Sequence, residues 1–148
     1  MLADEVVGAW HLLSFTAEYA ERPGTFHPLG PDATGIIMYT ADGYMSAQIM
    51  RPGRRDYDLL GGDSSDPEPA AAAATGYLAY SGPYTVDEAA QTLHHELEVS
   101  LLPAWLGTVQ MRDAKLDGDQ LTLAAEDTLP SGTLRSVLVW KRAVPRAQ

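Results

Sequence analysis

The sequence contains no cysteine, and only two of its ten basic residues, Lys115 and Lys141, are lysines. Without thiols it can form neither disulfides nor thiolate metal sites, which suits a reducing compartment. Its net charge is −10, and it lacks the clustered cations through which proteins bind nucleic acid or an anionic membrane. Both are therefore set aside as partners. No run approaches the roughly 18 apolar residues of a membrane-spanning helix. The start, Met1-Leu2-Ala3-Asp4-Glu5, has neither the basic opening nor the apolar stretch of a secretory signal. A cytoplasmic protein is expected. Common catalytic signatures are also missing: there is no G-x-S-x-G, Walker A, G-x-G-x-x-G or H-E-x-x-H pattern. Gly61-Gly62-Asp63 lacks the strand-to-helix context of a phosphate loop, and Asp117-Gly118-Asp119 is too short for a calcium loop.

What is present is a β pattern. The 148 residues suit one domain, 1–148, with a core that needs no staples. Short runs rich in Val, Leu, Ile, Tyr and Thr alternate with turn residues, the signature of a sandwich or barrel. The expected strands are 6–19, 35–40, 44–50, 77–86, 91–101, 106–116, 120–125 and 133–142, with a tight hairpin at Asp42-Gly43. Residues 143–148 read as a frayed tail. Between the third and fourth strands the chain departs from this pattern. After a polar, Gly-rich stretch, Asp66-Pro67-Glu68 precedes the alanines 70–74 and Gly76. An N-cap, a first-turn proline and a C-terminal glycine predict a short helix over about 66–75; a mobile alanine linker is the alternative. The segment 51–76 is a candidate lid. Eight antiparallel strands that close on themselves leave no free edge and enclose room for side chains or one small ligand.

Alternation sorts the faces. In the 91–101 strand the charged set Glu96 and Glu98, with His94, should meet solvent, so His95 and Leu97 point inward with Val99 and Leu101. His94 and His95 therefore cannot chelate one ion together, and no metal or other cofactor is expected. In the 77–86 strand Tyr80 and Tyr84 point inward. A two-residue turn at Asp42-Gly43 would pair Met38 with Ala47, which places Met38, Met45 and Ile36 on the cavity wall and Tyr39 opposite. In the 106–116 strand outward Asp113 and Lys115 put Gln110 and Arg112 inside. Three residues carry candidate chemistry. His95 can exchange a proton near neutrality, or be a core histidine held by one hydrogen bond. Tyr80 can orient a ligand carbonyl, or simply pack, as can Tyr84. Arg112 can anchor a carboxylate or enolate through its fork of donors, or pair with an acidic side chain at the barrel end. Met38, Met45, Tyr84, Leu97, Trp105 and Gln110 are the candidate ligand contacts.

Gly8-Ala9-Trp10 at the head of the first strand resembles the G-x-W opening of lipocalins. Gly35 to Met50, Gly76 to Val86, His94 to Gly107 and Leu116 to Leu123 are together similar to the bacterial and fungal lipocalin-like domain family. The resemblance implies an all-β, single antiparallel lipocalin-like barrel, with Trp10 closing one end under a basic residue of the last strand, Arg142 or Arg135. The interval from the histidine pair to Pro103 is one residue shorter than the family's, which leaves His94 and His95 both open for the family position. Barrels of this kind include cofactor-free cyclases and isomerases of natural-product biosynthesis as well as passive carriers. The expectation is thus a protein that encloses an apolar small molecule. It is either a cycloaddition-type cyclase or isomerase acting on a polyketide-like intermediate, with Tyr80, His95 and Arg112 as catalytic groups, or a carrier without turnover. A homodimer is compatible with both.

Overall fold

The computed structural model describes residues 1–57 and 67–147. Among these residues nine strands are formed: β1 (Gly8–Tyr19), β2 (Thr34–Tyr39), β3 (Tyr44–Met50), β4 (Tyr77–Asp87), β5 (Thr92–Glu96), β6 (Val99–Ser100), β7 (Val109–Asp117), β8 (Gln120–Leu129) and β9 (Gly132–Arg142). Eight of them close in the order β3-β2-β1-β9-β8-β7-β5-β4, and β4 returns to β3. All pairings are antiparallel. The barrel is therefore sealed by hydrogen bonds around its whole circumference, and β6 is a short addition on β4.

Two helices flank the barrel. One turn, α1 (Leu2–Glu5), precedes β1, and α2 (Pro67–Thr75) precedes β4. Pro67 opens α2 where a missing N–H costs nothing, and Pro69 and Ala73 are its buried residues. The alanine run is helix, not linker; the expected cap Asp66 lies outside the described residues, as do Gly61, Gly62 and Asp63. No helix among the described residues is long and apolar enough to cross a membrane.

The interior is one continuous apolar cluster that includes Trp10, Ile37, Tyr39, Met45, Ile49, Leu93, Leu97, Leu121, Leu123 and Trp140. Complete burial of a side chain such as Leu93 or Leu121 contributes about 1.5–3 kcal/mol. One barrel end is plugged. Leu2 and Val6 pack under Trp10, whose indole N–H donates to Val6 O at 2.9 Å. The Arg142 guanidinium lies 4.2 Å from the Trp10 ring centroid and donates to Val7 O at 3.0 Å. Arg135 instead pairs with Glu126 at the surface.

Two registers differ from the sequence reading. The β2–β3 loop holds three residues, 41–43, because Thr40 N–H donates to Tyr44 O and Gly43, at φ +97°, donates to Thr40 O. Tyr39 thus pairs with Met45, and Ile37 with Ala47. The shift of one residue turns Ile37 and Tyr39 inward and leaves Ile36 and Met38 on the outer face, 40% and 45% exposed. Met38 is therefore no part of the cavity wall. The second difference lies after β5. Tyr84 pairs with His95 but Tyr80 pairs with Ser100, so one extra residue is accommodated between the two pairs. This bulge reverses the alternation beyond Leu97. Val99 and Leu101 are exposed rather than inward.

Candidate functional site

The barrel encloses a cavity of about 50 Å³, lined by residues from β1 to β4 and β7 to β9 together with Trp105. A vestibule of about 200 Å³ lies over its open end. Phe15, Leu78, Trp105, Asp127 and Ser136 line both spaces, and Pro28, Leu29 and Leu102 are among the further residues of the vestibule. Trp105 is held by the 3₁₀ turn Pro103–Trp105, and its ring meets the Tyr80 ring edge-on at 5.8 Å. It is one of the five side chains that border both the mouth and the interior.

Buried polar groups border the cavity deep in the fold, Tyr80, Arg112 and Trp140 with Ser136. Tyr80 is buried, and burial raises its phenol above the ordinary value against the pull of the nearby Arg112. Arg112 is 7% exposed, and its guanidinium donates to Met111 O at 3.0 Å. No carboxylate among the described residues forms an ion pair with it. Trp140 is 1% exposed, and its indole N–H has no acceptor among the described residues. Half-buried Asp127 stands nearer the mouth.

Behind this cavity His95 is fully buried. Its Nε2 lies 2.8 Å from the Tyr39 hydroxyl and its Nδ1 3.5 Å from that of Tyr80. Burial, reinforced by the positive charges of Arg112 and His94, lowers its pKa to about 3. Burial likewise raises the Tyr39 phenol well above its usual range. His95 and Tyr39 are both neutral near pH 7 and hold each other by hydrogen bonding. His94 points the other way, half-buried, with Nε2 3.1 Å from Thr92 Oγ1.

The candidate residues thus divide. Tyr80, Arg112 and Trp105 border the cavity. His95 reaches it only through Tyr80. Met45 and Leu97 are buried core residues away from its lining. Tyr84 donates to Thr40 O at 2.8 Å and packs edge-on against Tyr39, and Gln110 donates to Thr108 Oγ1 at 2.9 Å. Neither touches the cavity. Among the contributors absent from the sequence reading are Tyr39, hidden by the hairpin register, and Trp140 and Asp127. Alternation in β9 from Ser136 through Leu138 to Trp140 was the available signal for the second.

A closed barrel plugged at one end, with an inner cavity and a vestibule that share five lining residues at the other, defines a protein built around a small enclosed volume. The match of residues 7–143 to the lipocalin-like domain family agrees with this architecture, and the chain belongs to that family. A curated relative from Aspergillus oryzae, named as a 4'-hydroxy-3'-methoxypropiophenone carrier protein, is 39% identical over 110 residues. That alignment covers 69% of this chain and 98% of the relative. Among solved structures, the siderocalin Ex-FABP, described as functioning through dual ligand specificities, aligns over 94% of this chain and 71% of its own. Its identity is 10% and the TM-score 0.36.

Proposed function

We propose that this protein is a carrier that encloses a compact, largely apolar ring compound of the aryl-ketone class, in a cytoplasmic setting. The observation that carries the reading is the cavity-and-vestibule pair, which share Trp105 and four further residues, above an end plugged by Trp10 and Arg142. The inner space alone is far smaller than the roughly 300–1,000 Å³ of ordinary ligand pockets. Occupation therefore joins it to the vestibule by displacement of the Trp105 ring. The described parts of the segment 51–76, residues 51–57 and 67–76, serve as lid in this reading. Arg54 donates to Ala73 O of α2, and Arg51 to Pro28 O beside the mouth. The named carrier among the relatives supports the ligand class.

The cyclase or isomerase alternative rests on the same enclosure, since folding a substrate into a reactive shape needs no proton transfer. His95 does not favour it, because a base with a pKa of about 3 is poorly matched to proton transfer near neutrality. One experiment separates the two. Purified protein is titrated with 4'-hydroxy-3'-methoxypropiophenone, tryptophan fluorescence is followed, and the compound is recovered for mass spectrometry. Saturable quenching at one molecule per chain, with the compound recovered unchanged, is expected. Conversion to a chromatographically distinct isomer of equal mass would replace the carrier with an isomerase. Absence of binding by this ketone and by its simple analogues would remove the reading.

A further inference from the structure

Arg112 presents an unusual balance. A guanidinium carries five N–H donors, and among the described residues only the carbonyl of the adjacent Met111, at 3.0 Å, and the Tyr80 hydroxyl engage them. The side chain is 7% exposed and borders the inner cavity. A buried cation without a counter-charge is costly and ordinarily finds a partner. Asp127 borders the same cavity, yet no ion pair joins the two. Trp140 borders it as well, fully buried, with an indole N–H that meets no acceptor. The interior thus contains the Arg112 charge deep inside and a neutral donor with no acceptor among the described residues, with the Asp127 carboxylate towards the mouth and other walls mainly of Ile37, Ile49, Leu78, Leu123 and Leu138. Such a set is complementary to an oxygen that is negatively charged and attached to an apolar body.

We infer that the cavity selects the anionic form of an acidic, ring-bearing ligand, a phenolate or enolate whose oxygen is received by the Arg112 guanidinium with Trp140 as second donor. This inference rests on the carrier reading and adds the charge state of the cargo. A phenol conjugated to a carbonyl group is the fitting class. Its anion spreads charge into the carbonyl and ionises more readily than a simple phenol. The proton it loses passes to solvent, so no base within the barrel is required. Tyr80, a protonated phenol beside Arg112, supplies a further hydroxyl donor at the same wall.

The test compares 4'-hydroxy-3'-methoxypropiophenone with its 4'-methyl ether, which cannot ionise. Each is titrated into the protein about one pH unit below the free phenol's own midpoint, where that phenol is mostly neutral. Calorimetry reads affinity, and absorbance reads the red-shifted band of the phenolate. The expected result is that the bound phenol shows the anion band and binds at least tenfold more tightly than the ether. In Arg112→Met the band is lost and phenol affinity falls about tenfold to a hundredfold, the usual cost of losing a charge-assisted hydrogen bond, while ether affinity falls far less. The same variant melts at a higher temperature than the parent, because an unpaired buried charge has been removed. Should Arg112→Met fail to fold, Arg112→Gln, which keeps donors but no charge, is read in the same way. Equal binding of phenol and ether without an anion band overturns this inference and leaves the carrier standing. An anion band that persists in the Arg112 variants overturns it too. Failure of both compounds to bind the parent protein counts against the carrier itself.

Discussion

At the scale of single residues, His95 shows how burial converts a versatile group into a structural one. Its ring is 0% exposed and its Nε2 is 2.8 Å from the Tyr39 hydroxyl. The pKa of about 3 means that the folded state holds the imidazole neutral, whereas the unfolded chain protonates it near the ordinary 6.5. Between those values the unfolded state binds the additional proton, so stability rises with pH through the window and is lost as pH falls from about 6.5 towards 3. Above the window both states are neutral, and below it both are charged. Denaturant unfolding at pH 7 and pH 5 checks the point. The parent should lose about 2 kcal/mol from this residue alone between the two. In His95→Gln the difference between the two pH values should shrink by that amount, leaving only the carboxylate contribution. An identical pH dependence in the two proteins would show that the ring is solvated and free to titrate.

At the scale of elements, the closure of β4 against β5 depends on one missing side chain. A Cβ placed on Gly82 would sit 1.8 Å from Glu96 O and 3.1 Å from Glu98 N. The backbone of the bulge therefore crosses directly over this glycine, and Glu98 N–H donates to Ser81 O. Because the obstruction is backbone rather than a mobile side-chain tip, Gly82→Ala must push β5 away from β4. Overpacking of this kind costs about 1–3 kcal/mol or more, to be read as a lowered urea midpoint. Gly118→Ala, at a surface turn with nothing within 4 Å, bears only the cost of its φ of +60° and serves as the control. The same element shows what could be read in the sequence. Alternation placed Tyr80 and Tyr84 inside, and Gln110 and Arg112 on the inner side of β7, because those strands run without interruption from polar to apolar positions. It failed beyond Leu97 and at Met38 for one shared reason. A single extra residue, in a bulge or a hairpin loop, reverses every later assignment. Nothing in Asp42-Gly43 distinguishes a two-residue turn from a three-residue loop. The cation inside the barrel was legible from parity; the neutral His95 needed its partner Tyr39, which the misplaced hairpin had turned outward.

At the scale of the whole molecule, the barrel is polar along its axis. The Trp10 end is closed by α1, by the Trp10 N–H to Val6 hydrogen bond and by Arg142 stacked at 4.2 Å. The other end carries the vestibule, the 3₁₀ turn and Trp105. If ligands enter by one end only, substitutions at the two ends should separate stability from exchange. Arg142→Ala removes a cation–π contact and the hydrogen bond to Val7 O, and should lower stability by about 1–2 kcal/mol. It should leave the rate of ligand release unchanged. Trp105→Ala removes the edge-on contact with Tyr80, an interaction of about 0.5–1.5 kcal/mol. It should accelerate release by up to about tenfold, since affinity changes in related complexes fall mainly on the off-rate. Stopped-flow displacement of bound 4'-hydroxy-3'-methoxypropiophenone measures both variants against the parent. Faster release from Arg142→Ala with no change in Trp105→Ala would place the entrance at the Trp10 end, and the plug described here would have to be the door.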